Sequence, residues 1–218
     1  MESLQNDSPD RFLARWVRIG IIAGLLAVIS YPLLVFATLP RSVQVLLGAT
    51  FGPALAVASV ALARILQSRR QTPSMELAAV ANSLAGALVT VEIMVQLAIH
   101  YSTVQQPLDP SVRAHIWDLV LGIDVAFDAF IALGTLLFAV NMLRDPRFGR
   151  IIGWIGVLVA VVALYGANIF YFPDPPYTHG FPHVGAITGL WYLAVTVMMI
   201  RHLSKLRAAT NRGGSGSQ

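Results

Sequence analysis

The sequence predicts an all-α fold, an integral membrane bundle of six transmembrane helices. Three observations lead there. Hydrophobic residues make up 56% of the 218 and charged residues 12%, against roughly 25% charged in an average soluble domain; mean hydropathy is +0.67. The apolar residues gather into six runs, 17–39, 43–66, 75–100, 116–143, 150–172 and 185–203, each close to or above the ~20 residues that cross a bilayer. The basic residues then alternate between the two ends of those runs. Arg11, Arg15 and Arg18 lie at the start, Arg64, Arg69 and Arg70 after the second run, Arg144, Arg147 and Arg150 after the fourth, and Arg201, Lys205, Arg207 and Arg212 after the sixth. Those are 13 of the 15 Lys and Arg residues, and only Arg41 and Arg113 fall on the opposite side. Basic residues stay on the cytoplasmic side of a membrane, so both termini are expected in the cytoplasm, with the bundle in a cell membrane, read as a bacterial inner membrane. Residues 1–16 form a cytoplasmic N-terminal segment, 17–203 the transmembrane domain and 204–218 a cytoplasmic tail.

Each element has a local reason. The first run exceeds the ~7–15 apolar residues of a signal peptide, so it reads as an uncleaved span. Tyr31-Pro32 inside it and Gly52-Pro53 inside the second each remove a backbone hydrogen bond and predict kinks. Thr72-Pro73, Asp109-Pro110 and Asp145-Pro146 place a capping residue before a proline suited to the first helical position. The cap at Asp109 starts the fourth helix ahead of the bilayer. Gly20 with Gly24, Gly149 with Gly153, and Gly185 with Gly189 have the small-xxx-small spacing that lets helices approach closely, within one subunit first and between subunits as the alternative. Trp16, Trp117, Trp154, Tyr101, Tyr171 and Tyr177 fall near run ends, as an aromatic belt does. Gly213 to Gln218 has the composition of a flexible linker.

Several functions are excluded. There is no cysteine, hence no disulfide framework or thiolate metal site. The net charge of +4 does not point to nucleic acid, because the basic residues sit at helix ends. Lys205 is the sole lysine and lies beyond the last run, which argues against a retinal Schiff base in mid-membrane. No phosphate-binding loop, GxSxG elbow or His-Glu-x-x-His helix occurs.

Polar residues inside the runs are the candidate site. Ionisable groups in hydrocarbon cost ~2.5–3.5 kcal/mol on insertion scales and face the bundle interior or water. Glu92 is eight residues before the end of the third run and Asp124 eight after the start of the fourth, so both lie ~12 Å deep, with Asp128 one turn deeper. Glu92, Gln96 and His100 form one i, i+4, i+8 stripe, and Asp124 and Asp128 share a face. Antiparallel packing of these helices opposes the stripes and predicts an outward-facing polar cavity lined by Glu92, Gln96, Asp124 and Asp128. Asn168 from the fifth run adds a neutral polar group, as does Asn82. Carboxylates in close approach cannot both ionise cheaply, which suits the group to bind a proton or a cation; the alternative is a purely structural hydrogen-bonded register. No metal or other cofactor is expected. The alternative is zinc, if His100, His115, Asp118, His179 and His183 converge on the outer side.

The segments Arg18-Ile19-Gly20-Ile21-Ile22-Ala23-Gly24-Leu25-Leu26 and Arg147-Phe148-Gly149-Arg150-Ile151-Ile152-Gly153-Trp154-Ile155-Gly156 give the chain a pattern that resembles a family of uncharacterised bacterial multi-span membrane proteins. That resemblance implies six or seven spans and no established activity. His179 and His183, as a His-x-x-x-His pair, also resemble the ceramidase-like membrane hydrolases, which include the adiponectin-receptor type. That likeness implies a zinc held by histidines and an aspartate, here Asp118 or Asp124. Six spans rather than seven, and a pair at a helix mouth rather than within a helix, depart from that pattern.

The resulting expectation is a non-enzymatic polytopic membrane protein with an outward-facing polar cavity: a small transporter, a sensor or an accessory subunit. A zinc-dependent membrane hydrolase of a lipid or small amphiphile, and a purely structural subunit, are the alternatives, so enzymatic activity stays open. The bilayer is the expected partner, with a homo-oligomer or larger membrane complex open and nucleic acid not expected.

Overall fold

A computed structural model describes residues 9–105, 108–174 and 184–213. Among these residues every regular element is helical: α1 (Pro9–Phe36), α2 (Arg41–Gln67), α3 (Pro73–Gln105), α4 (Pro110–Met142), α5 (Gly149–Leu158) and α6 (Val184–Gly213). A π-helical segment, Val159–Ile169, continues α5 directly. Six helices are long and apolar enough to cross a membrane, so the chain is an all-α, multi-pass membrane protein. Helices overrun several expected ends. The first starts at Pro9 rather than 17, and the last runs to Gly213 rather than 203. Hydropathy marks where the chain leaves hydrocarbon, whereas a helix carries its charged ends on into water.

Consecutive helices pack against each other, and α6 returns to α1, closing a ring of six. Its seams are built from small side chains. Ala54, Ala58 and Ala61 of α2, Ala78, Ala81 and Ala85 of α3, and Ala132 and Ala139 of α4 are all buried. Large apolar residues such as Ile22, Leu46, Leu77, Ile151, Val162 and Leu190 point outward. That inversion is expected where lipid tails surround the bundle, because close backbone approach rather than apolar burial then drives association. The tightest seam joins α2 and α3: a Cβ on Gly52 would lie 1.9 Å from the carbonyl oxygen of Gly86. Of the glycines singled out by spacing, Gly20 faces Ala61 and Met199, Gly24 faces Thr196, and Gly153 faces Leu143. These three serve packing within the chain, while a Cβ on Gly189 would meet nothing within 4 Å. Pro32 and Pro53 sit inside α1 and α2, which continue past them.

The cap expected at Asp109 is made, whereas the Thr72 hydroxyl donates to Asn141 Oδ1 at 3.3 Å and accepts from Ser74 Oγ at 3.0 Å. Pro73 and Pro110 open α3 and α4, and the Asp109 carboxylate accepts from the Ser111 amide at 2.8 Å. Those bonds hold the Asp109 carboxyl below its ordinary range. Asp145 departs from expectation: α5 begins only at Gly149 and has no side-chain cap. Gly149 has φ of +82°, a left-handed turn that favours glycine. Asp145 accepts from the Arg147 amide at 2.9 Å, ahead of a turn rather than of α5, and from the Arg147 side chain, at 3.0 Å and 2.6 Å for the closest Nε and Nη2 contacts. Arg147 also donates to Ser68 Oγ at 2.9 Å and to the Ile65 carbonyl at 2.7 Å, tying the α4–α5 turn to the end of α2. Burial pushes the Asp145 carboxyl up, but hydrogen bonds and charge from Arg147, with Arg69 beyond, bring it below its ordinary value.

Gly52→Ala should lower the thermal unfolding midpoint in detergent, at a cost of about 1–3 kcal/mol for overpacking against backbone. Gly122→Ala, whose Cβ would meet nothing within 4 Å, should instead hold or raise it. Equal midpoints for the two variants would contradict the close α2–α3 seam.

Asp145→Asn should destabilise at neutral pH by about 1.5–3 kcal/mol, the range for hydrogen bonds to charged groups. Because the folded Asp145 value is depressed, its stabilisation is fully present above the unfolded value of about 3.9. It is lost as pH falls through the folded value. Unfolding midpoints of wild type and variant should therefore converge below about pH 4, and a constant gap down to strong acid would refute the assignment.

Candidate functional site

The antiparallel α3 and α4 turn their polar residues toward each other. Glu92 of α3 and Asp128 of α4 are 7% and 3% exposed, so neither faces lipid. Gln96, one turn along α3, donates from Nε2 to Glu92 Oε1 at 2.6 Å. The second oxygen, Oε2, is buried with no hydrogen-bond partner among the described residues. Asp124 is partly buried one turn from Asp128. It lies within electrostatic reach of both Glu92 and Asp128, and Asp128 in turn acts on Glu92. Three carboxyl groups from two helices therefore share one field inside the bundle, where weak screening makes like charges costly together.

Asn168 completes the group from a third element. It is 2% exposed, and its Nδ2 donates to Asp128 Oδ2. The π-helical backbone carries it there: the Phe170 amide reaches back five residues to the Tyr165 carbonyl at 3.0 Å. Such i→i+5 turns recur at functional sites, where they re-aim a side chain. Asn168 Oδ1 is buried without a partner among the described residues, so the side chain spends its donor on Asp128.

Exposure grades along the α3 stripe: His100 is exposed, Gln96 half-buried and Glu92 buried. The stripe thus runs from the helix end inward to the carboxyl group. At its mouth His100 stacks edge-on with Tyr101 at 5.3 Å. Tyr101 donates to Gln44 Oε1 at 2.7 Å and lies 4.4 Å beneath the Arg41 guanidinium, which pins the start of α2 to the end of α3.

The histidine set is placed differently. His100, His115 and Asp118 are exposed, and His115 Nδ1 is 2.6 Å from the Ser111 carbonyl. His179 and His183 lie outside the described residues. Among the described residues, no three His, Asp or Glu side chains are grouped to hold a metal ion.

Asn82, named from the sequence as a further polar group, belongs to a second cluster whose other members the sequence did not mark. Asn82 is fully buried and donates to Ser59 Oγ at 3.1 Å and to the Tyr192 hydroxyl at 2.7 Å. Tyr192 in turn meets Thr135 Oγ1 at 3.1 Å. One junction therefore joins α2, α3, α4 and α6. Next to Tyr192, Trp191 donates to the Ile152 carbonyl at 2.9 Å and locks α6 onto α5. Asn82 stood out by its depth, whereas Tyr192 carried no signal beyond an aromatic within an apolar run.

Comparison with protein families, with curated proteins and with solved structures finds no match for this chain.

Proposed function

We propose that this chain is a small proton- or cation-handling membrane protein, a transporter or sensor whose working group is Glu92, Asp124 and Asp128. The observation that carries this reading is the trio of carboxyl groups from α3 and α4 within one another's electrostatic reach. A purely structural register would need one hydrogen-bonded pair, not three acids in mutual repulsion. Binding a proton or a monovalent cation relieves that repulsion, and losing it restores the repulsion. Gln96 orients Glu92, and Asn168 orients Asp128, by donating to one oxygen of each. The stripe from His100 through Gln96 supplies the route from the outer end of α3.

In reconstituted liposomes with an imposed pH or sodium gradient, the wild-type chain should relax the gradient. Glu92→Gln and Asp128→Asn should slow that relaxation at least tenfold while eluting as wild type on size exclusion. Wild-type flux in both correctly folded variants would remove the carboxyl group from the mechanism.

We also propose that both termini face the cytoplasm. The support is the distribution of basic residues, 13 of 15 at the ends nearest the termini, under the bias that retains Lys and Arg inside. A C-terminal fusion to a reporter active only outside the cytoplasm should be silent. A strong signal would reverse the orientation, and the carboxyl group would then open inward.

A further inference from the structure

At the end of the bundle where α2 and α4 finish, a cavity of about 180 Å³ is bounded by Arg69, Arg70, Arg144, Asn141, Asp145 and Met75, among others. One water needs only ~10–15 Å³ of such space, so the cavity admits a group of several heavy atoms. Its charge is lopsided. Asp145, the acid in the wall, is already held by Arg147 at 2.6 Å. Three guanidinium groups remain: Arg69 and Arg70 in the α2–α3 turn, and Arg144 just past α4. All three are exposed, and among the described residues no hydrogen bond or ion pair engages the side chains of Arg70 or Arg144.

The wall is fixed in advance. The turn carrying Arg69 and Arg70 is clamped on both sides to α4 and the turn that follows it. On one side Arg147 donates to Ser68 Oγ and the Ile65 carbonyl. On the other, Asn141 donates to Ser74 Oγ at 3.1 Å and accepts from Thr72 Oγ1 at 3.3 Å. The carbonyl end of α2 would oppose an anion, but Arg147 covers the Ile65 carbonyl there. Arginine in a rigid fork suits the oxygens of a phosphate, which it binds through paired N–H groups.

We infer that this cavity binds the phosphate of an anionic phospholipid headgroup. The depth favours a lipid over a solute phosphate. The cavity lies where the spanning helices emerge, and the apolar side chains of Leu66 and Met75 share its wall. Basic pockets between spanning helices at that level take anionic headgroups. The inference needs only the membrane fold and is independent of the carboxyl group's role.

The test is lipid retention and exchange on the full chain in neutral detergent, read by native mass spectrometry against phosphatidylglycerol and phosphatidylcholine. Wild type should retain phosphatidylglycerol at a one-to-one stoichiometry, at least tenfold more tightly than phosphatidylcholine. Arg69→Gln with Arg144→Gln should weaken that retention at least tenfold, whereas Arg113→Gln, at the opposite end of the bundle, should not. Should the double variant fail to fold, Arg70→Gln alone must still lower retention several-fold. Retention equal in all variants, or equal for the two lipids, would overturn the inference. Displacement of the lipid by inorganic phosphate at matched concentration would overturn it too, making the cavity a solute site.

Discussion

In hydrocarbon a polar side chain has to find its partner within the protein, and Tyr192 meets that requirement for several helices at once. Its hydroxyl accepts from Asn82 and pairs with Thr135, while Asn82 also reaches Ser59. Removing any one of the four would leave another buried polar group unsatisfied, a cost of about 1–3 kcal/mol. Around this junction the backbones come close enough for alanine and glycine to form the seams, as at Gly52 against Gly86. The closed ring of helices follows from both conditions: small residues where backbones touch, and hydrogen bonds where they do not.

The same solvent rule divides the bundle into three polar levels with different tasks. Asp145, Arg147, Ser68 and Asn141 tie two turns together at the end carrying most of the positive charge. Tyr192 and Asn82 hold the interior. Glu92, Asp124, Asp128 and Asn168 form the third level, in which acids face acids. The first level matches donors to acceptors. The other two each keep a buried acceptor without a partner among the described residues, Asn82 Oδ1 in the second and Glu92 Oε2 and Asn168 Oδ1 in the third. What sets the third apart is its charge: it alone gathers several acids in one buried place, and a fold tolerates such a conflict only if the rest of the structure is well determined.

Spans, charge asymmetry and the presence of Glu92, Asp124 and Asp128 within apolar helices are legible because each is a one-dimensional property of the chain. The i, i+4 spacing put Glu92 and Gln96 on one face, and the structure joins them there by a hydrogen bond. Contacts that depend on how helices rotate against each other were not legible. Tyr192 meets Asn82 across 110 positions, and nothing near either residue marks the pair. Asn168 was named, but its partner depended on a π-helical turn that hydropathy cannot distinguish from α. Asp145 makes the bond of a cap, to the Arg147 amide, but a turn follows it and the helix starts only at Gly149, a delay that the Asp-Pro pair does not signal.

The π-helical stretch from Val159 to Ile169 also sets the height of the bundle's rim. A turn closed over five residues is wider and flatter than an α turn, so the fifth span advances less per residue than its neighbours. α3 and α4 each run 33 residues, ~50 Å at the α-helical rise, well beyond the ~30 Å of hydrocarbon. The stretch from Gly149 to Ile169 has fewer residues and a squatter winding. A span shorter than its neighbours is matched by thinning or tilting of the lipid beside it, at fractions of a kcal/mol per Å, and the bond from Asn168 to Asp128 puts the buried acids next to that span.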